Sequence, residues 1–309
     1  MTRYAGPLVD AHHHYWEPGE GRQPWLRPDA AIPFRYGDYA SIKRDYLPPD
    51  LARDAASAGL RLVGSVTMET EWDETDPLGE IDHIEGVRAR FGQPSAAIGR
   101  VALDADDAPA LLERMAARPI VRGIRHKPGQ APTPERAAAQ PTLLSDPRWR
   151  QRYASLERLG LDFELQTAWW HLDEAIELVR AHPGVRLTVN HTALPSDRSR
   201  EGLEGWAAAI GRIAQLPQVW MKLSGIGLEG VPWTPEGNRE IALRTLDAFG
   251  PGRVMIASNF PVDSLTGSYR EIMGGFAEIF GGLAPAEQLA LFAGNAIERY
   301  RLDPAILDR

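Results

Sequence analysis

Three consecutive histidines, His12, His13 and His14, stand in the run VDAHHHYWEP at residues 9–18, in a chain with only eight histidines. Imidazole binds divalent ions and takes protons near neutral pH, so such a cluster needs only geometry to become a site. If the run is a strand, alternate side chains share a face. His12 and His14 then point one way, with Asp10 one layer deeper on the same face, and His13 points the other way. An H-x-H pair of this kind suits a divalent metal or a substrate oxygen. His191, in LTVNHTALPSD, is the candidate third ligand or general base. Arg125 and Lys127 of RGIRHK share a face, where they can bind a carboxylate or polarise a carbonyl, or pair with Glu69 or Asp104. Gln166 can hydrogen-bond a substrate that Trp169 or Trp170 walls in. Glu69 and Ser224 are further candidate substrate-binding groups, and Asn259 completes the polar inventory.

These residues lie at or just beyond the ends of short β-branched runs. Eight runs, at 7–13, 61–69, 96–103, 120–126, 161–167, 185–191, 219–225 and 253–258, alternate with amphipathic segments such as LDEAIELVRA at 172–181. Strand and helix repeated eight times predict an α/β fold, a parallel (β/α)8 barrel forming one domain over residues 1–309. In a barrel the chemistry gathers at the C-terminal ends of the strands, where the polar residues fall. Residues 17–50 are long, rich in Pro, Tyr and Arg, and weakly periodic. A loop of that length after the first strand is expected to cap the site, carrying Trp25, Arg35, Tyr36 and Tyr39 over it.

Composition narrows the function. The chain has 309 residues, a net charge of −8 and no cysteine. The charge argues against nucleic acid or an anionic membrane as partner, and the missing cysteine removes thiolate chemistry and disulfides. No apolar run reaches the roughly 20 residues of a membrane span, and no secretory signal is evident, which together suggest the cytoplasm. The expected partner is a small-molecule substrate, with the chain a monomer or homodimer.

The ordered set VDAHHHYW, VRGIRH, HTALP, MKLSGI, SNFPVD and GNAIERYRL, spread over nearly the whole chain, resembles the amidohydrolase-related lactonases of the amidohydrolase superfamily. These include fuconolactonase-like and rhamnonolactonase-like sugar-acid lactonases and the 2-pyrone-4,6-dicarboxylate lactonase. The resemblance implies a distorted (β/α)8 barrel that hydrolyses a cyclic ester. It places His12, His14 and His191 around the lactone carbonyl, and an aspartate after the eighth strand as the group that takes a proton from water. Here Asn259 stands in that aspartate's place, and an amide cannot serve as a general base. Asp263, four residues on, or His191 then becomes the candidate base. Losing a carboxylate weakens a divalent site, so the expectation is no required cofactor, or one weakly bound Zn or Mn on His12, His14 and His191. Two alternatives remain at this point. One is a metal-dependent decarboxylase or hydratase of the same superfamily, and the other is a barrel that binds a ligand without turning it over.

Overall fold

The computed structural model describes residues 3–308. Eight strands form one parallel sheet in sequence order: β1 Pro7–His13, β2 Arg61–Met68, β3 Ala96–Arg100, β4 Val121–Arg125, β5 Asp162–Leu165, β6 Leu187–Val189, β7 Val219–Leu223 and β8 Val254–Ile256. Each falls inside one of the eight predicted runs. The ring closes at its rim, where Asn259 N donates to His12 O (2.7 Å) and His14 N to Phe260 O (2.8 Å). The fold is therefore a (β/α)8 barrel.

The outer helices are α1 Pro48–Ser57, α2 Pro77–Phe91, α3 Ala108–Ala116, α4 Pro134–Ala137, α5 Pro147–Leu159, α6 Leu172–Ala181, α7 Arg200–Ile213, α8 Pro235–Phe249, α9 Tyr269–Ile279, α10 Pro285–Leu289 and α11 Asn295–Arg299. Their boundaries are written locally. Proline occupies the first turn of α1, α2, α5 and α8, where no intrahelical N–H is lost. Side chains of Asp76, Asp146, Ser199, Thr234 and Ser268 accept from the exposed first-turn amides of α2, α5, α7, α8 and α9. The cap is shorter than predicted by three residues, because Pro48–Asp50 already belong to α1. Between β1 and α1 it holds three short 3-10 turns, at Pro18–Glu20, Pro24–Leu26 and Ala40–Ile42.

Apolar side chains including Val9, Ala11, Met68, Ile98, Met255 and Ala257 pack with the C-terminal segment around Ala296 and Tyr300. Asp10 is not with them. The β1–β2 register shifts between Asp10 and His13, which breaks simple alternation. Asp10 instead accepts from Tyr269 Oη on α9 (3.0 Å) and from Ser258 N (3.0 Å), so it fastens β1 to the helix layer rather than lying beneath His12.

Candidate active site

Three imidazoles meet at the C-terminal rim. The His12 ring centroid lies 5.3 Å from that of His14 and 4.5 Å from that of His191. His13 turns away and packs on Tyr15 at 4.2 Å. His14 Nδ1 faces Met68 O at 3.2 Å, and a carbonyl can only accept, so Nδ1 carries the proton and Nε2 the lone pair. Burial, then the Arg125 cation, lowers the His14 pKa to about 3. Burial first, then Arg35 and Arg125, holds His191 well below the usual histidine range. Both are neutral bases at neutral pH.

His191 sits in a strained turn. His191, Thr192, Ala193 and Leu194 all have positive φ (53°, 43°, 59° and 57°), one turn of left-handed helix without a glycine. Each such residue costs roughly 1–2 kcal/mol. Three bonds enforce it: His191 Nδ1 with Ser224 Oγ (2.9 Å), Trp206 Nε1 to Thr192 O (2.7 Å) and Thr192 Oγ1 with Thr245 Oγ1 (3.0 Å). Strain held this firmly beside a chemical group is characteristic of functional sites.

Arg125 lines the same cavity as His14 and His191. It donates from Nε to Glu69 Oε1 (2.6 Å), from Nη2 to Glu69 O (2.9 Å) and from Nη1 to Gln166 Oε1 (3.2 Å). Three of its five N–H donors are thus used, and the ion pair is buried. Burial pushes the Glu69 carboxyl up, but Arg125 and Lys127 outweigh it and leave the pKa lowered to about 2. Lys127 pairs with Glu71 at the mouth. His126 leaves the site, accepting from Leu103 N and Trp149 Nε1.

The Asn259 corner is bonded inward. Asn259 Nδ2 donates to Asp263 Oδ1 (2.6 Å), which also accepts from Tyr36 Oη of the cap (3.1 Å), while Oδ2 accepts from Gly225 N (3.0 Å). Burial raises the Asp263 pKa to about 6, against the opposing Arg35 cation. This carboxylate sits behind Asn259 and orients it, with its oxygens already committed.

These groups surround a cavity of about 340 Å³. His14, Glu69, Arg125, Gln166, His191 and Asn259 form its polar side, and Trp16, Trp25, Ile32 and Phe34 its apolar side. His12 and Ser224 lie behind this lining. Trp169 does not reach it and packs instead where Gly205 of α7 leaves room, its ring 2.7 Å from the position a Cβ would take. Trp170 lines an adjoining cavity. Arg35, which the sequence placed only in the cap, joins the site by donating from Nη2 to Gly225 O (2.7 Å). Lys222 had no place in the sequence reading. It lies in the barrel interior, paired with Glu164 at 2.9 Å, and burial lowers its pKa to about 8. A lysine inside the apolar run VWMKL was the available signal.

Among the described residues, the His and acidic side chains whose ligand atoms all approach within 4.8 Å of one another are Glu17, Glu20 and His83, at the foot of the cap. His12, His14 and His191 are not so gathered. Both His12 ring nitrogens are buried without a hydrogen-bond partner, but the neighbouring charges are Lys222 and Arg125, and Glu69 is neutralised by Arg125. In this arrangement the donors do not fit a divalent cation.

The amidohydrolase family model matches residues 9–302. The chain belongs to the amidohydrolase family. It is 35% identical to an uncharacterised protein, y4mH, of Sinorhizobium fredii, over 96% of this chain and 98% of the relative. It is 30% identical to an L-fucono-1,5-lactonase of Burkholderia multivorans, over 96% and 97%. A crystal structure of an amidohydrolase from Burkholderia multivorans with bound Zn is similar at TM-score 0.76 and 25% identity, covering 96% of this chain and all (100%) of that one. The protein is thus an enzyme of the hydrolase class. No helix among the described residues is long and apolar enough to cross a membrane.

Proposed function

We propose that this amidohydrolase opens a lactone of a sugar acid or related small carboxylic acid, acting as one domain in the cytoplasm and requiring no resident metal. The observation that carries the reading is a neutral His191 lining the same cavity as Arg125, which has two N–H donors unused. Water adds to the lactone carbonyl carbon as His191 takes its proton. The charge that develops on the carbonyl oxygen meets Arg125 and Lys127. The bond from that carbon to the ring oxygen then breaks, and the ring oxygen leaves with the proton that His191 returns. His14 offers a lone pair at Nε2, so its role is to accept from water or a substrate hydroxyl rather than to stabilise an oxyanion. Asn259 offers Oδ1 in the same way, since its Nδ2 is held by Asp263. The curated relatives named L-fucono-1,5-lactonase support the substrate class. A metal-dependent decarboxylase would need ligands gathered around an ion, an arrangement that the three histidines do not make.

The test is a pH-indicator assay over sugar 1,5- and 1,4-lactones, L-fucono-1,5-lactone included, with and without chelator. Acid release that survives chelation is expected. No release from any lactone overturns the reading, and activity that chelation abolishes and Zn or Mn restores overturns its metal-free form.

A further inference from the structure

A second cavity, of about 350 Å³, adjoins the first and shares Arg35, Lys127 and Gln166 with it. The proposed lactone chemistry uses only the first. Each compartment alone is of a size to enclose one small ring, and a single sugar lactone seated against His191 leaves the second unfilled.

The walls of the second compartment are specific. Trp170 is partly exposed and held by Nε1 to Ala131 O at 3.1 Å, which fixes its indole as a platform. Leu194 and Ala168 add apolar surface, and Gln130 and Ser196 add hydrogen-bonding groups at the rim. An indole with flanking amides and hydroxyls suits a ring that presents an apolar face and a polar edge. At the waist, Arg35 donates to Gly225 O and stands in no ion pair among the described residues, so it can serve polar atoms that bridge two rings. The strained turn couples the compartments, with His191 in the first and Leu194, three residues on, in the second. That gives the left-handed conformation a second consequence: it turns the chain so that one segment lines both.

We propose that the second compartment is a substrate subsite, and that the enzyme acts on lactones carrying a further stackable ring, glycosyl or aryl, held on Trp170. The inference rests on the lactonase reading. Its test compares kcat/KM on matched pairs: glucono-1,5-lactone against cellobiono-1,5-lactone for the glycosyl arm, and γ-butyrolactone against γ-phenyl-γ-butyrolactone for the aryl arm. In at least one arm the two-ring lactone should be preferred by about 10-fold, the equivalent of one well-made stacking contact. Trp170→Ala should reduce that preference to below about 3-fold. Ser196→Phe, which fills the compartment from its exposed rim, should do the same and covers the case in which the tryptophan variant fails to fold. Equal or better turnover of the one-ring lactone in both arms, or a preference that Ser196→Phe leaves intact, overturns the subsite while the lactonase reading stands. If no lactone is opened, the lactonase reading falls and takes this inference with it.

Discussion

The two ends of the barrel both bury charged groups, and they treat them in opposite ways. At the N-terminal end, Asp162 receives Arg299 (2.5 Å), Arg301 (2.9 Å) and Arg186 (3.1 Å), and Arg299 also donates to Thr188 Oγ1 (2.8 Å). Arg299 is wholly buried, and its charge is answered on the spot. At the C-terminal end, His12 has two partnerless nitrogens, His14 and His191 are held neutral by burial, and Arg35 has no carboxylate partner among the described residues. Polar groups that satisfy one another lock a structure, whereas polar groups held in place with capacity left over are available to a substrate. The same barrel therefore has a stabilising end and a reactive end.

That contrast can be broken most directly at His191. Replacing it by Ala should lower kcat on the best lactone by about 10²–10⁴-fold, the usual worth of a general base, while costing less stability than Asp162→Ala, since only one of the three bonds that hold the turn is lost. Asp162→Ala should do the reverse. Leaving Arg299 buried and unpaired should cost about 3–5 kcal/mol in denaturant unfolding, with kcat of the folded protein within about 3-fold of the parent. If the histidine variant melts and the aspartate variant loses its rate, the two ends are not specialised as described.

Asp263 sharpens the comparison, because it is a structural group at the reactive end. Its pKa is raised from 3.8 to about 6 in the fold, with burial as the main cause. Its contribution to stability is therefore full below about pH 4 and lost as pH rises through about 6, a change of up to about 3 kcal/mol. Activity should run the other way and rise through pH 6, because the ionised carboxylate orients Asn259. The two histidines titrate lower and do not supply that limb. Asp263→Asn should flatten both profiles in this window and lower kcat by about 10-fold, the scale of one charge-assisted hydrogen bond. An unchanged acid limb near pH 6 in that variant would assign it elsewhere. The smallest effect is expected at Tyr36→Phe, which removes one cap bond to Asp263 and should raise KM about 3–10-fold, the worth of a hydrogen bond of about 1 kcal/mol. A change in kcat at constant KM would instead place Tyr36 in the chemistry.

Much of the barrel was legible because its signals are local. β-Branched runs, prolines at helix starts and capping residues act within a few positions, and all eight strands lie where the runs predicted. The first-strand histidines and His191 were legible for the same reason, as were Arg125 and Glu69, whose pairing across strands was one of the readings open from sequence. Their position at strand ends follows from the fold class.

Tertiary structure decided what depends on register and long-range contact. Asp10 faces the helices because the β1–β2 register shifts, an event that one strand's own sequence does not encode. Trp170 rather than Trp169 reaches a cavity, since Gly205 of α7 leaves room for its neighbour. Arg35 and Tyr36 enter the site through partners 190 and 227 residues away. The chain alone determined which chemical groups would arrive at the rim. Only packing settled which of them would be neutralised, which would be held behind another, and which would be left free, because those outcomes are set by neighbours that the fold supplies.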